Sequence, residues 1–140
     1  IIGDGQEQKT LQSMIKNMGL DKKIYLVGEK KQEELSWYLA AADIFVLNTG
    51  YEGFSYRVLE AMSAGVPVVT TAISANTEII RQGENGFLVR FNDEFNLVEA
   101  IKTVWQTPEL RERFVENGKV TAARFGRERE TEETMKQLVS

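Results

Sequence analysis

Short apolar runs alternate along this chain with stretches in which apolar residues recur every three or four positions. The first kind reads as strands and the second as amphipathic helices. Ile1-Ile2 runs into the turn Gly3-Asp4-Gly5, and a helix follows with Leu11, Met14, Ile15 and Met18 on one face and Gly19 closing it. Ile24–Val27 is a short strand ended by Gly28. Glu33–Ala42 is a helix with Leu35, Tyr38, Leu39 and Ala42 inward, broken by Asp43. Ile44–Leu47 is a continuous apolar run, the pattern of a parallel strand covered on both faces. The turn Asn48–Phe54 leads into a helix over Ser55–Ala64, which Gly65 ends, and Pro67 opens the strand Val68–Thr71. Thr77–Gln82 reads as a short helix capped by Gly83, and Asn85-Gly86 turns into the strand Phe87–Val89. Glu94–Gln106 carries Leu97, Val98, Ile101, Val104 and Trp105 on one side. Thr107 and Pro108 supply an N-cap and a first-turn proline for a helix through Leu110, Phe114 and Val115. A last helix is expected over Arg127–Val139, its charged run Arg127–Glu133 forming a solvated face.

Strand-helix alternation of this kind predicts an α/β fold, a Rossmann-like parallel sheet flanked by helices. The 140 residues are the size of one domain, and we read residues 1–140 as a single domain. The chain opens on what looks like the end of a buried strand and its turn, so it is expected to be a fragment of a longer, two-domain protein, incomplete at its N-terminus. Composition narrows the chemistry. With no His and no Cys, thiol nucleophiles, Ser-His-Asp triads and Cys/His zinc sites are excluded within this chain. The lack of Cys is compatible with the cytoplasm. A net charge of -4 provides no global basic field for nucleic acid. No apolar run approaches the ~20 residues of a membrane span.

Gly3-Asp4-Gly5 resembles the opening of a dinucleotide fingerprint, but Gln8 stands where the third Gly is needed and Glu7 would repel a pyrophosphate. It reads better as a tight structural turn. No phosphate-loop pattern occurs. The stretch from Glu52 to Gly65 is more informative. Gly53 lets backbone approach a ligand closely, and Gly53, Phe54 and Ser55 can present N–H groups at a helix start, where phosphate binds without a metal. Glu52 and Glu60 are eight positions apart, about two helical turns. Carboxylates there can accept hydrogen bonds from sugar or ribose hydroxyls. The plainer alternative is that Glu52 complements the helix dipole and Glu60 is a surface residue.

Glu52-Gly53-Phe54-Ser55, three residues, then Leu59-Glu60-Ala61-Met62-Ser63-Ala64-Gly65-Val66-Pro67 strongly resembles the donor-binding motif of retaining glycosyltransferases of family 4, which have the GT-B fold. Further segments match in the same order: Ile1–Gly5, Val27-Gly28 before Gln32–Leu35, Ala41–Leu47 and Glu78–Val89. The resemblance implies the C-terminal, donor-binding half of an enzyme with two Rossmann-like domains. It implies that Glu60 holds ribose hydroxyls, that Glu52 faces the donor sugar, and that the backbone at Gly53, Phe54 and Ser55 meets the diphosphate or sugar. Glu29 and Lys30, after Gly28, lie where the family often receives the base, though an ordinary solvated loop is the competing reading. Both acids are expected to bind rather than move protons. The family's phosphate-binding Arg and Lys come from an earlier unit, so no catalytic residue is assigned in this chain; Arg57 is only a weak substitute. Two departures stand out: Ser74-Ala75-Asn76-Thr77 replaces a loop that often holds Gly-Gly, and Ser55, suited to an N-cap, stands where Gly is commoner.

The expected function is transfer of a sugar from a UDP-, GDP- or ADP-sugar to a glycan or lipid-linked acceptor, without metal or other cofactor and without nucleic acid. The acceptor would be met through the other domain. The isolated chain is expected to be inactive and the whole protein cytoplasmic, with the inner face of a membrane as its docking place where the acceptor is lipid-linked. The alternatives are a GT-B-like nucleotide-sugar epimerase and a non-catalytic nucleotide-sugar-binding domain.

Overall fold

The computed structural model describes residues 1–51 and 55–139. Glu52, Gly53, Phe54 and Ser140 lie outside the described residues, as do the side chains at 130, 133, 134 and 137–139. The chain divides into two compact units, Ile1–Tyr38 and Leu39–Ser140.

In the first unit, α1 spans Gln8–Asn17 and is followed by Gly19 at φ 65°, the left-handed residue that closes it. None of its residues is buried, and Leu11, Met14 and Met18 are exposed. The expected strand Ile24–Val27 does not form as a regular element. Val27 N–H donates to the Ile1 carbonyl (3.0 Å) and the terminal amine donates to Tyr25 O (2.6 Å), which begins a parallel ladder. Gly3 sits at φ 123° and its N–H donates to Gly28 O, so the pairing loses register after two residues. The helix α2 begins in this unit at Gln32 and runs to Ala40. Leu35 and Leu39 are buried as its spacing predicts, whereas Tyr38 is exposed.

The second unit is built on three parallel strands, β1 (Phe45–Leu47), β2 (Val68–Thr71) and β3 (Phe87–Val89), in the order β1-β2-β3. Phe45 pairs with Val68, and Val69 with Phe87. All four residues of β2 are buried, as suits a β-branched central strand. The apolar run of β1 is less covered than expected, with Val46 exposed, because β1 lies at an edge among the described strands. The helix α3 (Tyr56–Ser63) buries Val58, Ala61 and Met62, and Gly65 at φ 76° ends it.

Two helices differ from expectation. α4 covers Ser74–Ile79 rather than Thr77–Gln82. Ile73 is extended and launches the helix early, while Ile80 is already extended at ψ 126°. Asn85 Oδ1 accepts from Arg81 N–H at 2.7 Å, giving that amide a partner outside the helix. α5 (Glu94–Gln106) forms as read, with Asp93 at its N-cap accepting from Asn96 N–H at 3.0 Å. That bond and a second from the Asn96 side chain hold the Asp93 carboxyl below its ordinary value. α6 runs unbroken over Pro108–Val139, where two helices were expected. Gly118 does not interrupt it. A Cβ there would stand 3.3 Å from Met62 Cγ, so the small residue serves the close approach of α6 to α3. Beyond it, Ala122-Ala123 and the i,i+4 pair Arg124–Glu128 (3.8 Å) favour helix. Arg127, Glu128 and Arg129 are exposed, as the charged run implies.

The core of this unit gathers Val69 of β2, Val104 of α5, and Leu110 and Phe114 of α6. Phe114 meets Phe87 edge-on, with ring centroids 5.1 Å apart.

Candidate functional site

In open α/β sheets ligands collect outside the carboxyl ends of the strands. At that end of β1 and β2 the chain places a buried polar network. Ser55, Thr70, Thr71 and Asn76 are all fully buried. The Ser55 hydroxyl donates to Asn76 Oδ1. Asn76 Nδ2 donates to Thr70 Oγ1 (2.9 Å) and to the Thr71 carbonyl (2.7 Å). Thr70 Oγ1 donates onward to Leu47 O at 2.8 Å, and Thr71 Oγ1 donates to Thr49 O at 2.6 Å. Thr49 N–H returns a bond to Thr71 Oγ1 at 3.3 Å. Among the described residues no buried side-chain polar atom lacks a partner. Such a network rigidifies what it connects.

Ser55 therefore differs from the N-cap role expected of its side chain. It holds the N-cap position of α3, but its hydroxyl faces Asn76 and caps none of the helix N–H groups. Its carbonyl accepts from Val58 N–H (3.1 Å) and Leu59 N–H (3.2 Å), which starts the helix. Glu52, Gly53 and Phe54, the other expected contacts for sugar and diphosphate, lie outside the described residues.

Glu60 sits one turn into α3 from Tyr56, half-buried, and its Oε2 accepts from Arg57 Nη1 at 2.8 Å. The pairing gives this carboxylate a charge partner among its apolar neighbours Val58, Ala61 and Met62. It also shows that Arg57 is engaged with Glu60. Glu60 lines a groove of about 790 Å³ bounded by Tyr56 of α3, Glu78 of α4, and Lys119, Phe125 and Arg129 of α6. The Arg129 guanidinium lies 5.5 Å from the Tyr56 ring centroid, on one wall of that groove.

In the first unit, Glu29 is exposed and Lys30 is half-buried, with its Nζ 3.9 Å from Glu34. Lys31 N–H donates to the same Glu34 at 3.1 Å, which fixes the loop after Gly28 against the start of α2. The network residues Thr49, Thr70 and Thr71 were not singled out from sequence, and Asn76 was named only within the Ser74-Ala75-Asn76-Thr77 departure, without a role. Asn76 stands beside Ser74, Thr77 and Glu78, so no local pattern marked it for burial.

These features, a parallel sheet with its polar network and a carboxylate-lined groove beside α3, belong to an α/β domain. The sequence profile described as "Glycosyl transferases group 1" matches residues 1–121, and the chain belongs to that family. It is 30% identical to the lipopolysaccharide core biosynthesis glycosyltransferase LpsE of Rhizobium meliloti, covering 100% of this chain and 41% of LpsE. It is 31% identical to the putative glycosyltransferase EpsD of Bacillus subtilis, over 94% of this chain and 34% of EpsD. The chain thus spans less than half the length of both relatives. Among solved structures, the C-terminal domain of a group 1 glycosyl transferase, LpcC of Francisella tularensis, superposes with a TM-score of 0.77 at 29% identity, covering 86% of this chain and 64% of that one. Anabaena HepE, crystallised with UDP and glucose, superposes with a TM-score of 0.83 at 25% identity, over 97% of this chain and 39% of HepE. The fold is that of the C-terminal domain of GT-B glycosyltransferases.

Proposed function

We propose that this chain is the donor-binding domain of a two-domain, retaining glycosyltransferase of family 4, which moves a sugar from a nucleoside diphosphate to a glycan or lipid-linked acceptor. The observation that carries this reading is the position of Glu60: half-buried, on the helix that starts at the anchored Ser55, and facing a groove. The family membership and the UDP complex of HepE support it. In this reading Glu60 accepts hydrogen bonds from the ribose hydroxyls, and Glu52 accepts from the donor sugar. Gly53, Phe54 and Ser55 contribute backbone N–H groups to the departing diphosphate, since the Ser55 hydroxyl is already committed. Glu29 and Lys30 approach the base. Bond cleavage leaves charge on the diphosphate, which helix N–H dipoles stabilise without a metal. An Arg and a Lys from the earlier strand-helix unit that the family resemblance implies would complete that stabilisation, so this chain alone binds donor weakly and does not transfer.

The test is product analysis with the intact protein and a panel of UDP-, GDP- and ADP-sugars. Transfer to an acceptor with the donor's anomeric configuration kept, read by NMR of the new linkage, is the expected result. An inverted linkage overturns the retaining assignment, and epimerisation without acceptor overturns transfer itself. Donor binding with no turnover would identify a non-catalytic domain.

A further inference from the structure

We propose that Asn76 and Thr71 form a two-point clamp on Thr49 and Ser55, making them positioning residues for a donor they do not touch. This rests on the reading above that the donor lies at the start of α3. One point is Thr49, whose carbonyl accepts from Thr71 Oγ1 (2.6 Å) and whose N–H donates back to it (3.3 Å). The other point is Ser55, whose hydroxyl donates to Asn76 Oδ1. Asn76 in turn is fastened to β2 through Thr70 Oγ1 and the Thr71 carbonyl. Thr49 and Ser55 are therefore both referred to the carboxyl end of one strand, β2.

Proton directions make the clamp specific for an amide. Thr70 Oγ1 spends its proton on Leu47 O, so toward Asn76 it can only accept. The Thr71 carbonyl can only accept as well. The position thus requires a group with two donors facing β2 and an acceptor facing Ser55, which describes Asn and excludes Asp, Leu or Ala. All four side chains are withdrawn from solvent, so each bond lies where an unmade partner is costly. Gly50, beside Thr49, is held close as well: a Cβ there would stand 2.9 Å from the Phe91 ring.

The experiment compares the intact protein with Ser55→Ala, Thr71→Val, Asn76→Ala and the double variant Ser55→Ala/Asn76→Ala. UDP, GDP and ADP are titrated into each well below its Tm, and donor and acceptor KM are measured beside kcat. Ser55→Ala, which loses one hydrogen bond, is expected to weaken nucleoside diphosphate binding and raise donor KM by roughly 5–10-fold, and Thr71→Val and Asn76→Ala, which lose two and three, by at least as much, while acceptor KM stays within twofold. The double variant is expected to be no worse than Asn76→Ala alone, because the Ser55–Asn76 bond is already lost there. Lowered Tm with unchanged donor affinity would show a purely structural network and overturn the clamp. Should Asn76→Ala fail to fold, Ser55→Ala and Thr71→Val, each losing one hydroxyl, decide the matter by the same criterion. Wild-type protein that binds none of the three nucleotides overturns the donor site itself; wild-type binding matched by all variants overturns the clamp alone.

Discussion

Asp93 and Asn76 show how differently two polar residues can serve the same fold. Asp93 precedes a strongly periodic helix and accepts two hydrogen bonds from Asn96, a local arrangement. Because those bonds hold its carboxyl below the ordinary value near 3.8, the stabilisation it provides is present above that value and is lost as pH falls through the lower, folded value. An Asp93→Ala variant should melt below the wild type at pH 7, and the gap should narrow as pH drops below 3.8. Thermal melts across that range check this; a gap independent of pH would contradict it. Asn76 instead bonds residues five, six and twenty-one positions away. Spacing arguments reach the first kind of residue and not the second, because only the tertiary fold brings Asn76, Thr70 and Ser55 together. The same reasoning separates the two halves of the Glu60 reading. The sequence marked it as a carboxylate among apolar helix neighbours with a surface position still open, and its Arg57 partner lies three residues away on the same helix.

Among the elements, α3, α5, β2 and β3 form where period and punctuation place them. Gly65 and Pro67 bracket one boundary, and Asp93 marks another. The misplaced boundaries have long-range causes. α4 starts early because Asn76 is drawn onto β2, and α6 continues through Gly118 because α3 lies against it. The continuity of α6 is testable at Gly126, where a Cβ would meet nothing within 4 Å. Gly126→Ala should stabilise the protein by about 0.5–1 kcal/mol, the ordinary gain of Ala over Gly inside a helix. Loss of stability in denaturant titration would indicate a break at that position. Gly86 presents the opposite case. A Cβ would lie 2.9 Å from Ile80 Cδ1 and 3.0 Å from the Val68 carbonyl oxygen, and backbone cannot yield cheaply. Gly86→Ala should cost about 1–3 kcal/mol in the same titration, and a neutral result would contradict the packing between β2 and the turn before β3.

For the molecule as a whole, the parallel sheet and flanking helices belong to a C-terminal GT-B domain, and the chain matches a family of glycosyl transferases over most of its length. Strand-helix alternation made the architecture legible, since each βα unit announces itself by a change of period. The site was legible only in part. Ser55 and Glu60 stood out because a helix start and a carboxylate on an apolar helix are local signals, while the residues that anchor the segment between β1 and α3 are dispersed from Thr49 to Asn76. No helix among the described residues is long and apolar enough to cross a membrane. The central claim is that Glu60 holds the ribose of a nucleoside diphosphate, and calorimetric titration of UDP, GDP and ADP into the intact protein and its Glu60→Ala variant tests it most directly. One of the three should bind the wild type, and the variant should lose about 10–100-fold in affinity, as expected when hydrogen bonds to a charged acceptor disappear. Equal affinity for wild type and variant, or binding of none of the three, would contradict the account.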